Sequence, residues 1–374
     1  MLKKLTASVA DYFRRTDKVL WLLCFTCSGM SLVLLSSQVF YEFLSIRVVM
    51  TQAIATAIGV VAAVIISKLD FHVGFTFWKY HVVICWALVL ATFVFGIQNP
   101  GADDKAWLPM PFGMTFQPTE LAKLSFIFTF AMHLDAVGDN INQYKNVLML
   151  CLHGAAPILL IHLQGDDGTA LAFAVIFVAM LFAAGISWRY VLAGLALAAA
   201  AVPVFWNFIL SSHQKKRFLT IFNPELDPQG VGFQPLQSKI AIGSGKIFGL
   251  GLFGDNVPRE VPYMRNDFIF SYVGQTMGFI GCLLVVGLLL AVAGKTLFVA
   301  RRSADKQGYF VCVGIFAVLL FQILANVGMC IGVMPVIGLT LPFFSAGGTS
   351  VMVLYLAIGI VMSVYMNSKT ELFT

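Results

Sequence analysis

Residues 261–293 read VPYMRNDFIFSYVGQTMGFIGCLLVVGLLLAVA, and this stretch decides the class of fold. No side chain from Phe268 to Ala293 carries a charge. At about 1.5 Å per residue, a helix of that length crosses the ~30 Å apolar core of a bilayer. Arg265 and Asp267 come directly before the run, so Asp267 is expected at the helix mouth, where an aspartate is typical of an N-cap.

The same apolar pattern recurs along most of the chain. Of 374 residues, 59% are hydrophobic and 11% are charged, whereas soluble domains have about 25% charged residues. The sequence predicts an all-α, polytopic membrane bundle of about ten transmembrane helices, in a single domain over residues 1–374. The predicted spans are roughly 19–40, 48–67, 80–98, 119–137, 147–163, 169–186, 190–210, 268–293, 309–330 and 348–367.

The distribution of Lys and Arg predicts the orientation of the bundle. If the N-terminus is cytoplasmic, the inner connections hold most of the basic residues, and the short outer connections hold only Arg47 and Lys105. Both termini are therefore expected inside, with residues 1–18 as a cytoplasmic segment. Residues 211–267, between helices 7 and 8, are expected to form a large extracytoplasmic loop.

The seven cysteines lie inside or at the ends of predicted spans, so they predict no disulfide framework. Cys24 and Cys27 have zinc-like spacing, but no second ligand pair accompanies them, and apolar filling of the bundle is the better interpretation. The stretch GSGKIFGLG at 243–251 lacks the spacing of a nucleotide-binding phosphate loop, so no nucleotide is expected. Nothing in the sequence indicates a nucleic-acid partner.

Two polar stretches are expected on the outer face. In the first, Pro118 suits the first turn of a helix, and Glu120 and Lys123 at i and i+3 form an ion pair. Such a pair must face the bundle interior or a wet cavity, and these residues alone leave a structural and a functional role evenly balanced. In the second, Asp166 or Asp167 caps the next helix, and one of the two adjacent carboxylates needs a donor or a cation.

Two further outer segments complete the polar face. Residues 211–267 hold seven Lys or Arg against five Asp or Glu. This excess is either a neutral consequence of loop length or a binding surface for an anion such as pyrophosphate. Residues 331–347 are apolar but interrupted by Pro and Gly, which predicts a re-entrant connection lining a cavity. There Ser345 and the following glycines would present hydroxyl and N–H donors.

Five stretches form an ordered set: FQPTELAKL (116–124), QGDDGTAL (164–171), QPLQSKIAIGSGKIFGLGLFG (234–254), VPYMRNDFIFSYVGQTMGFIG (261–281) and LPFFSAGGTS (341–350). Together they resemble the motifs of the SEDS family of bacterial cell-wall proteins, which includes RodA, FtsW and SpoVE. The resemblance extends from about residue 18 to residue 367. The short loop after GLGLFG and the lack of a long cytoplasmic tail favour the RodA branch.

The resemblance implies a peptidoglycan glycosyltransferase of the bacterial cytoplasmic (inner) membrane. Such proteins polymerise lipid II through β-1,4 bonds outside the membrane and release undecaprenyl pyrophosphate. The implied partners are a class B penicillin-binding protein and other elongation or division machinery. Two alternatives from other classes are a flippase for lipid-linked precursors and a non-catalytic scaffold that activates a penicillin-binding protein.

The family's essential aspartate falls on Asp267, as general base or metal ligand, and the sequence does not choose between these roles. Positions expected to bind substrate are Arg265, Gln117, Glu120, Lys123, Gln164, Asp166, Gln237, Ser238, Lys239, Ser244, Ser345, Gly347 and Gly348. A divalent cation, Mg or Mn, is an optional cofactor. Tyr263, Arg265, Gln275 and Thr276 replace a His and three Glu of the family pattern, which weakens a metal model that needs several acids.

Overall fold

The computed structural model describes residues 12, 14–98, 105–109, 115–210, 212–222 and 226–371. Most of the predicted cytoplasmic segment 1–18 lies outside these residues, as does part of the first outer connection. Within the described ranges, a two-residue hairpin pairs β1 (Leu108–Pro109) with β2 (Thr115–Phe116) in antiparallel register. All other regular structure there is helical.

The helices are numbered α1 to α13 in chain order. Their bounds are Lys18–Phe40 (α1), Ile46–Lys68 (α2), His72–Thr76 (α3), Trp78–Phe95 (α4), Pro118–Val137 (α5), Tyr144–Leu163 (α6), Asp167–Ala183 (α7), Trp188–Val204 (α8), Ser212–Phe222 (α9), Phe233–Ser244 (α10), Ile269–Arg301 (α11), Lys306–Cys330 (α12) and Gly348–Glu371 (α13). A 3₁₀ helix, Gly138–Asn142, and a π-helical turn, Phe205–Ile209, extend α5 and α8.

Each of the ten predicted spans is a helix in the structure. Within the described ranges, nine helices are long and apolar enough to cross a membrane. The predicted sixth span is α7, which has 17 residues and at about 1.5 Å per residue is about 25 Å long. The chain is therefore a multi-pass membrane protein, as the sequence predicts.

Small residues allow close contact between α2 and α13. A Cβ atom built on Gly359 would lie 2.8 Å from the Cα atom of Ala63, and one on Gly59 would lie 3.0 Å from the Cβ atom of Tyr355. In lipid, where apolar surface gives helices little reason to associate, such close backbone approach is the main source of attraction. These glycines hold α13 against α2, and the segment 331–347 leads directly into α13.

The connections between helices fall at two ends of the bundle. We call one the loop end, formed by residues 41–45, 96–98, 105–109, 115–117, 164–166, 205–210, 212–222, 226–268 and 331–347, and the other the basic end, formed by residues 69–77, 138–143, 184–187 and 302–305. Cross-contacts support this division: Tyr41 Oη donates to Gly254 O at the loop end, and Asn142 Nδ2 donates to Gly185 O at the basic end.

Helix α11 is interrupted at Gly278, where φ is 66°. The backbone groups freed by the break pair with residues 246–251: Phe279 N donates to Lys246 O (2.9 Å) and Leu250 N donates to Gln275 O (3.0 Å). A break at membrane depth persists only if its backbone is satisfied in this way. The first turns of α11, which follow Asp267, are thus fixed to the glycine-rich stretch 243–251, where Gly245 and Gly249 lie close to the backbone of α11.

A histidine joins two connections at the basic end. His72 lies between two carboxylates, with Nδ1 2.6 Å from Asp70 Oδ1 and Nε2 2.7 Å from Asp305 Oδ2. Burial lowers the pKa of His72, but the hydrogen bonds and charges of Asp70 and Asp305 outweigh burial, so the pKa is raised. The same contact leaves the pKa of Asp70 lowered despite its partial burial.

The stability conferred by His72 depends on pH in a defined window. Because its folded-state pKa is raised, the stabilisation is complete below the unfolded pKa of about 6.5 and is lost as pH rises through the folded value. We expect His72→Asn to lower the thermal unfolding midpoint by about 1–3 °C at pH 6, as befits partly exposed pairs, and by less at pH 9. The stability that comes from the depressed pKa of Asp70 is fully present above about pH 4 and is lost only as pH falls further, so it does not change between pH 6 and pH 9. An equal difference at both pH values would contradict the assignment.

Candidate functional site

The segment that carries Asp267 is held in place through three consecutive backbone carbonyls, those of residues 265–267. Each accepts a hydrogen bond from α12 or from the segment 331–347. The bonds run from Ala346 N to Arg265 O (2.7 Å), from Ser345 Oγ to Asn266 O (2.6 Å) and from Asn326 Nδ2 to Asp267 O (2.8 Å). Residues 265–267 therefore have a backbone fixed by parts of the chain that are 59 to 81 residues away in sequence.

Asp267 is not the N-cap of α11, and that interpretation of the sequence is wrong. The helix begins at Ile269 and its N-cap residue is Phe268. Residues 262–268 form successive turns, and Ser271 N donates to Phe268 O rather than to Asp267 O. The carbonyl that an N-cap would give to its own helix is bonded to Asn326 instead.

The carboxylate of Asp267 lies beside Gly338. A Cβ atom built on Gly338 would be 3.8 Å from Asp267 Oδ2, and the φ angle of Gly338 is 68°, which favours glycine. The neighbouring carbonyl of Ile337 closely approaches the position of a Cβ atom on Gly168. Residues 337–338 thus lie between Asp267 and the N-terminus of α7. This contact brings the motif stretch 261–281 close to the motif stretch 164–171.

Segment 331–347 is irregular and is buried at Leu339 and from Leu341 to Ser345, where hydrogen bonds hold it in place. Ser345 Oγ accepts a hydrogen bond from Leu341 N (2.8 Å). The Gln52 amide donates to Ser345 O (3.2 Å) and accepts from Gly347 N (3.1 Å). Ser345 and Gly347, predicted to offer donors to a substrate, direct these donors at the protein itself, because a buried backbone requires partners. Gly348 begins α13.

The predicted ion pair of α5 is confirmed, and it lines a cavity. Lys123 Nζ lies 2.8 Å from Glu120 Oε1, and the two side chains are only 4% and 13% exposed. The cavity has about 40 Å³ of space for water and is bordered by this pair, by Gln322 of α12, by residues 340–345 and by α13. That volume suits about three water molecules. A sugar would therefore lie at its mouth rather than inside.

The first two polar clusters meet at Asp166. Its carboxylate caps α7 by accepting from Thr169 N (2.9 Å), as predicted, and accepts from Gln117 Nε2 (2.8 Å). Burial raises the pKa of Asp166; the Thr169 hydrogen bonds and the charge of Lys123 oppose this, the charge of Glu120 adds to it, and the net shift is upward. The site is therefore a coupled set of charges, with one cation facing two carboxylates.

Two buried side-chain oxygen atoms, one on Gln164 and one on Thr119, are available to accept a hydrogen bond. Gln164 Nε2 donates to Thr92 Oγ1. Among the described residues, Gln164 Oε1 and the Thr119 hydroxyl have no hydrogen-bond partner. Because most buried polar groups are paired, these atoms are candidates for contact with a ligand.

The residues of α10 that were expected to bind substrate do not join the cluster around Asp166. Each has its own surroundings. Ser238 is fully buried and bonds to Ser271 Oγ (2.5 Å) and Cys330 O (2.6 Å), which holds α10 against α11 and α12. Ser244 donates to Ala241 O within its own helix (2.6 Å). A Cβ atom on Gly332 would lie 2.5 Å from Lys239 Nζ, so Lys239 covers segment 331–347. Gln237 is half-buried on the same helix.

Basic side chains of the long loop surround this end. Arg265 is exposed beside the fixed Asp267 segment. Helix α9 carries Lys216, which pairs loosely with Asp227 (3.7 Å), and it reaches α7 through Gln214 Nε2, 2.5 Å from Asp167 Oδ2. Of the basic residues of the loop, Arg265 lies two positions from Asp267, and α9 with Lys216 lies against the N-terminus of α7.

The side chains do not form a complete metal site. Among the described residues, no group of three or more His, Cys, Asp or Glu lies close enough to hold an ion. The seven cysteines, all within the described ranges, are unbridged. Hard divalent cations require several oxygen ligands, which these residues do not supply around Asp267. The optional cation stays a prediction, and no step proposed below depends on it.

The motifs do not include three buried amides that shape the site. Asn326 and Gln322 lie on α12, and Gln52 lies on α2; their exposed fractions are 0%, 8% and 2%. A signal was present, because a polar residue inside a membrane span normally faces the bundle interior. The sequence does not predict what Asn326 and Gln52 bind, since their partners are backbone atoms of other segments.

Fold and site together define a multi-pass membrane protein whose buried polar groups converge at one end. A family model described as "Cell cycle protein", for FtsW, RodA and SpoVE, matches residues 17–370. The chain therefore belongs to this family, and the resemblance drawn from the motifs is confirmed.

Curated relatives include the peptidoglycan glycosyltransferase MrdB of Escherichia coli K12, 32% identical over 317 residues and 84% of each chain. The probable peptidoglycan glycosyltransferase FtsW of Geobacter metallireducens is 31% identical, over 95% of this chain and 96% of the relative. A solved peptidoglycan synthase complex that coordinates polymerization and crosslinking contains a chain with a TM-score of 0.79 and 27% identity; the match covers 94% of this chain and 98% of that one. RodA of Thermus thermophilus, 23% identical with a TM-score of 0.70 and coverage of 94% and 96%, shares the fold.

The buried ion pair of α5 yields a stability test. Lys123→Met leaves Glu120 and Asp166 as buried carboxylates without their cation, and breaking a buried pair costs about 3–5 kcal/mol. We expect the thermal unfolding midpoint in detergent to fall by about 5 °C or more. Adding Glu120→Gln removes one of the two charges and should restore much of this loss. A double variant as unstable as Lys123→Met would contradict a charge-based role for the pair.

Proposed function

We propose that this protein is a peptidoglycan glycosyltransferase that polymerises lipid II into glycan strands. The observation that carries the proposal is the Asp267 carboxylate, which is mounted on a backbone fixed through three consecutive carbonyls. A catalytic carboxylate needs such a rigid mount, because a small misplacement of a reacting group costs much of the rate. The names of MrdB and FtsW support the reaction class.

Asp267 acts as the general base. Its carboxylate takes the proton from the 4-hydroxyl of the acceptor sugar while that oxygen forms a bond to C1 of the donor sugar. The bond between C1 and the pyrophosphate oxygen breaks with inversion, and its electron pair leaves with undecaprenyl pyrophosphate. An α-linked donor thereby gives a β-1,4 bond. Proton transfer by a positioned side chain contributes about 10²–10⁴ in rate.

Basic groups at the loop end stabilise the leaving pyrophosphate. Arg265 is exposed two residues from Asp267, and Lys239 lies against Gly332 on the neighbouring segment. Arg suits a phosphate because its planar fork donates two parallel hydrogen bonds. Positive charge near the developing anion lowers the barrier. The cavity beside Glu120 and Lys123 orients the sugar end through water and polar contacts.

The loop end faces the outside of the bacterial cytoplasmic membrane in this proposal. The basic end has Lys and Arg in or close to each of its short connections, and these residues stay in the cytoplasm; they are Lys68, Lys79, Lys145, Arg189, Arg301, Arg302 and Lys306. The whole chain forms one transmembrane domain, with residues 331–347 as its re-entrant outer segment. A class B penicillin-binding protein is the partner that cross-links the product; the similarity to a chain of a peptidoglycan synthase complex supports this pairing.

The test of the proposed function is the variant Asp267→Asn, which replaces one carboxylate oxygen by an NH₂ group. The purified protein, with a class B penicillin-binding protein, is supplied with lipid II, and glycan strands are resolved on gels. We expect Asp267→Asn to lower the polymerisation rate by at least about 100-fold, because the amide cannot accept the proton. The size of the side chain and the backbone hydrogen bond to Asn326 are preserved, so the unfolding midpoint should stay close to that of the wild type.

Asp255→Asn is the matched control, since Asp255 is an exposed carboxylate of the same loop end. It should retain the wild-type rate. Equal polymerisation by Asp267→Asn and wild type would overturn the catalytic assignment and favour a scaffold. Transport of lipid II across vesicle membranes without glycan synthesis would favour a flippase.

A further inference from the structure

Asn326 occupies a buried position between the two segments that build the site. It lies on α12, one turn before the helix ends at Cys330, and its side chain is 0% exposed. The helix around it is otherwise apolar, with Leu324, Ala325, Val327 and Gly328 as its neighbours. An amide at this depth is costly unless both donors and the acceptor are used.

Both N–H groups of Asn326 are directed at backbone carbonyls. Nδ2 donates to Asp267 O at 2.8 Å and to Leu339 O at 2.7 Å. Its Oδ1 lies 3.9 Å from the Sγ atom of Cys330, which itself contacts Asp267 O at 3.6 Å. One amide thus bridges the residue proposed as base and the segment 337–341, which contains Gly338 beside the Asp267 carboxylate.

The other two bonds to residues 265–267 do not make Asn326 redundant. Ala346 N and Ser345 Oγ hold the carbonyls of Arg265 and Asn266. The bond from Asn326 reaches the carbonyl of the next peptide group, between Asp267 and Phe268, where Cys330 adds a longer contact. The N–H of that peptide group donates to Tyr263 O (3.3 Å), within the same segment, so Asn326 ties the group to α12. The torsion angles that direct the Asp267 side chain depend on this peptide plane.

We propose that Asn326 is a positioning residue for glycosyl transfer. Its amide sets the distance between the Asp267 segment and residues 338–339, so that the carboxylate is held at the angle from which it accepts the proton. Asn326 touches neither substrate nor the reacting atoms. This inference rests on the proposed function and adds a residue that acts through Asp267.

The test compares Asn326→Ala with wild type in two measurements on the full-length protein. In steady-state polymerisation of lipid II with the penicillin-binding partner, we expect kcat to fall by about 100-fold, the scale of a misplaced catalytic group. KM should stay within about twofold, because Asn326 makes no contact with the substrate. In hydrogen exchange, peptides covering 261–268 and 336–346 should exchange faster than in wild type.

Ser363→Ala is the matched control for loss of a buried hydrogen bond. Ser363 is also 0% exposed and donates to Leu69 O (2.6 Å), but at the basic end. Its kcat and its exchange at 261–268 should match wild type. A second variant, Asn326→Asp, keeps the size but sets a carboxylate against two carbonyls, and it should recover part of kcat as pH falls and the acid regains a donor.

Each remaining outcome decides one of the two proposals. An Asn326→Ala protein with wild-type kcat, or with unchanged exchange in both peptides, overturns the positioning role. A fall in kcat shared equally by Ser363→Ala also overturns it, because the loss is then general destabilisation. Wild-type protein that binds lipid II but makes no glycan overturns the proposed function, while the exchange comparison still decides whether Asn326 holds the two segments together.

Discussion

The need to satisfy the irregular backbone of residues 331–347 governs the rest of this structure. These residues cross the loop end as a non-helical segment that is buried at Leu339 and from Leu341 to Ser345, where N–H and C=O groups need partners within the protein. The protein supplies the partners from three directions, through Gln52 of α2, Asn326 of α12 and the carbonyls of Arg265 and Asn266. Satisfying one segment thereby fixes another, and Asp267 belongs to that second segment.

The need to pair buried polar groups also explains the positions of the charged residues. Glu120 and Lys123 are placed one turn into α5, where each neutralises the other and both border the cavity beside residues 340–345. Asp166 is stabilised by the N-terminus of α7 and by Gln117. Charges at membrane depth persist only with such pairing. A ligand that enters here meets polar groups whose positions are already fixed.

Much of this arrangement was predictable because lipid imposes a simple rule on sequence. Apolar runs gave the spans, and Pro118, Glu120 and Asp166 follow local rules of helix capping and i, i+3 pairing, so their roles were confirmed. The break of α11 at Gly278 and the start of α11 after Phe268 were not predictable, because both depend on hydrogen bonds to residues 246–251 and to Asn326. Ser238, Ser345 and Gly347 fall within motif stretches, yet their hydrogen bonds are directed at the protein itself. Hydrogen bonds between backbone groups far apart in the chain leave no local pattern in the sequence.

The central claim is that the fixed Asp267 carboxylate faces the acceptor sugar at the loop end. A structure of the protein with two bound lipid II molecules, one as donor and one as acceptor, tests it most directly. The account predicts that the acceptor 4-hydroxyl lies within hydrogen-bond distance, about 3 Å, of an Asp267 carboxylate oxygen. It also predicts the donor pyrophosphate beside Arg265 or Lys239. Headgroups seated at the basic end, or an acceptor hydroxyl directed at a different base, would contradict it.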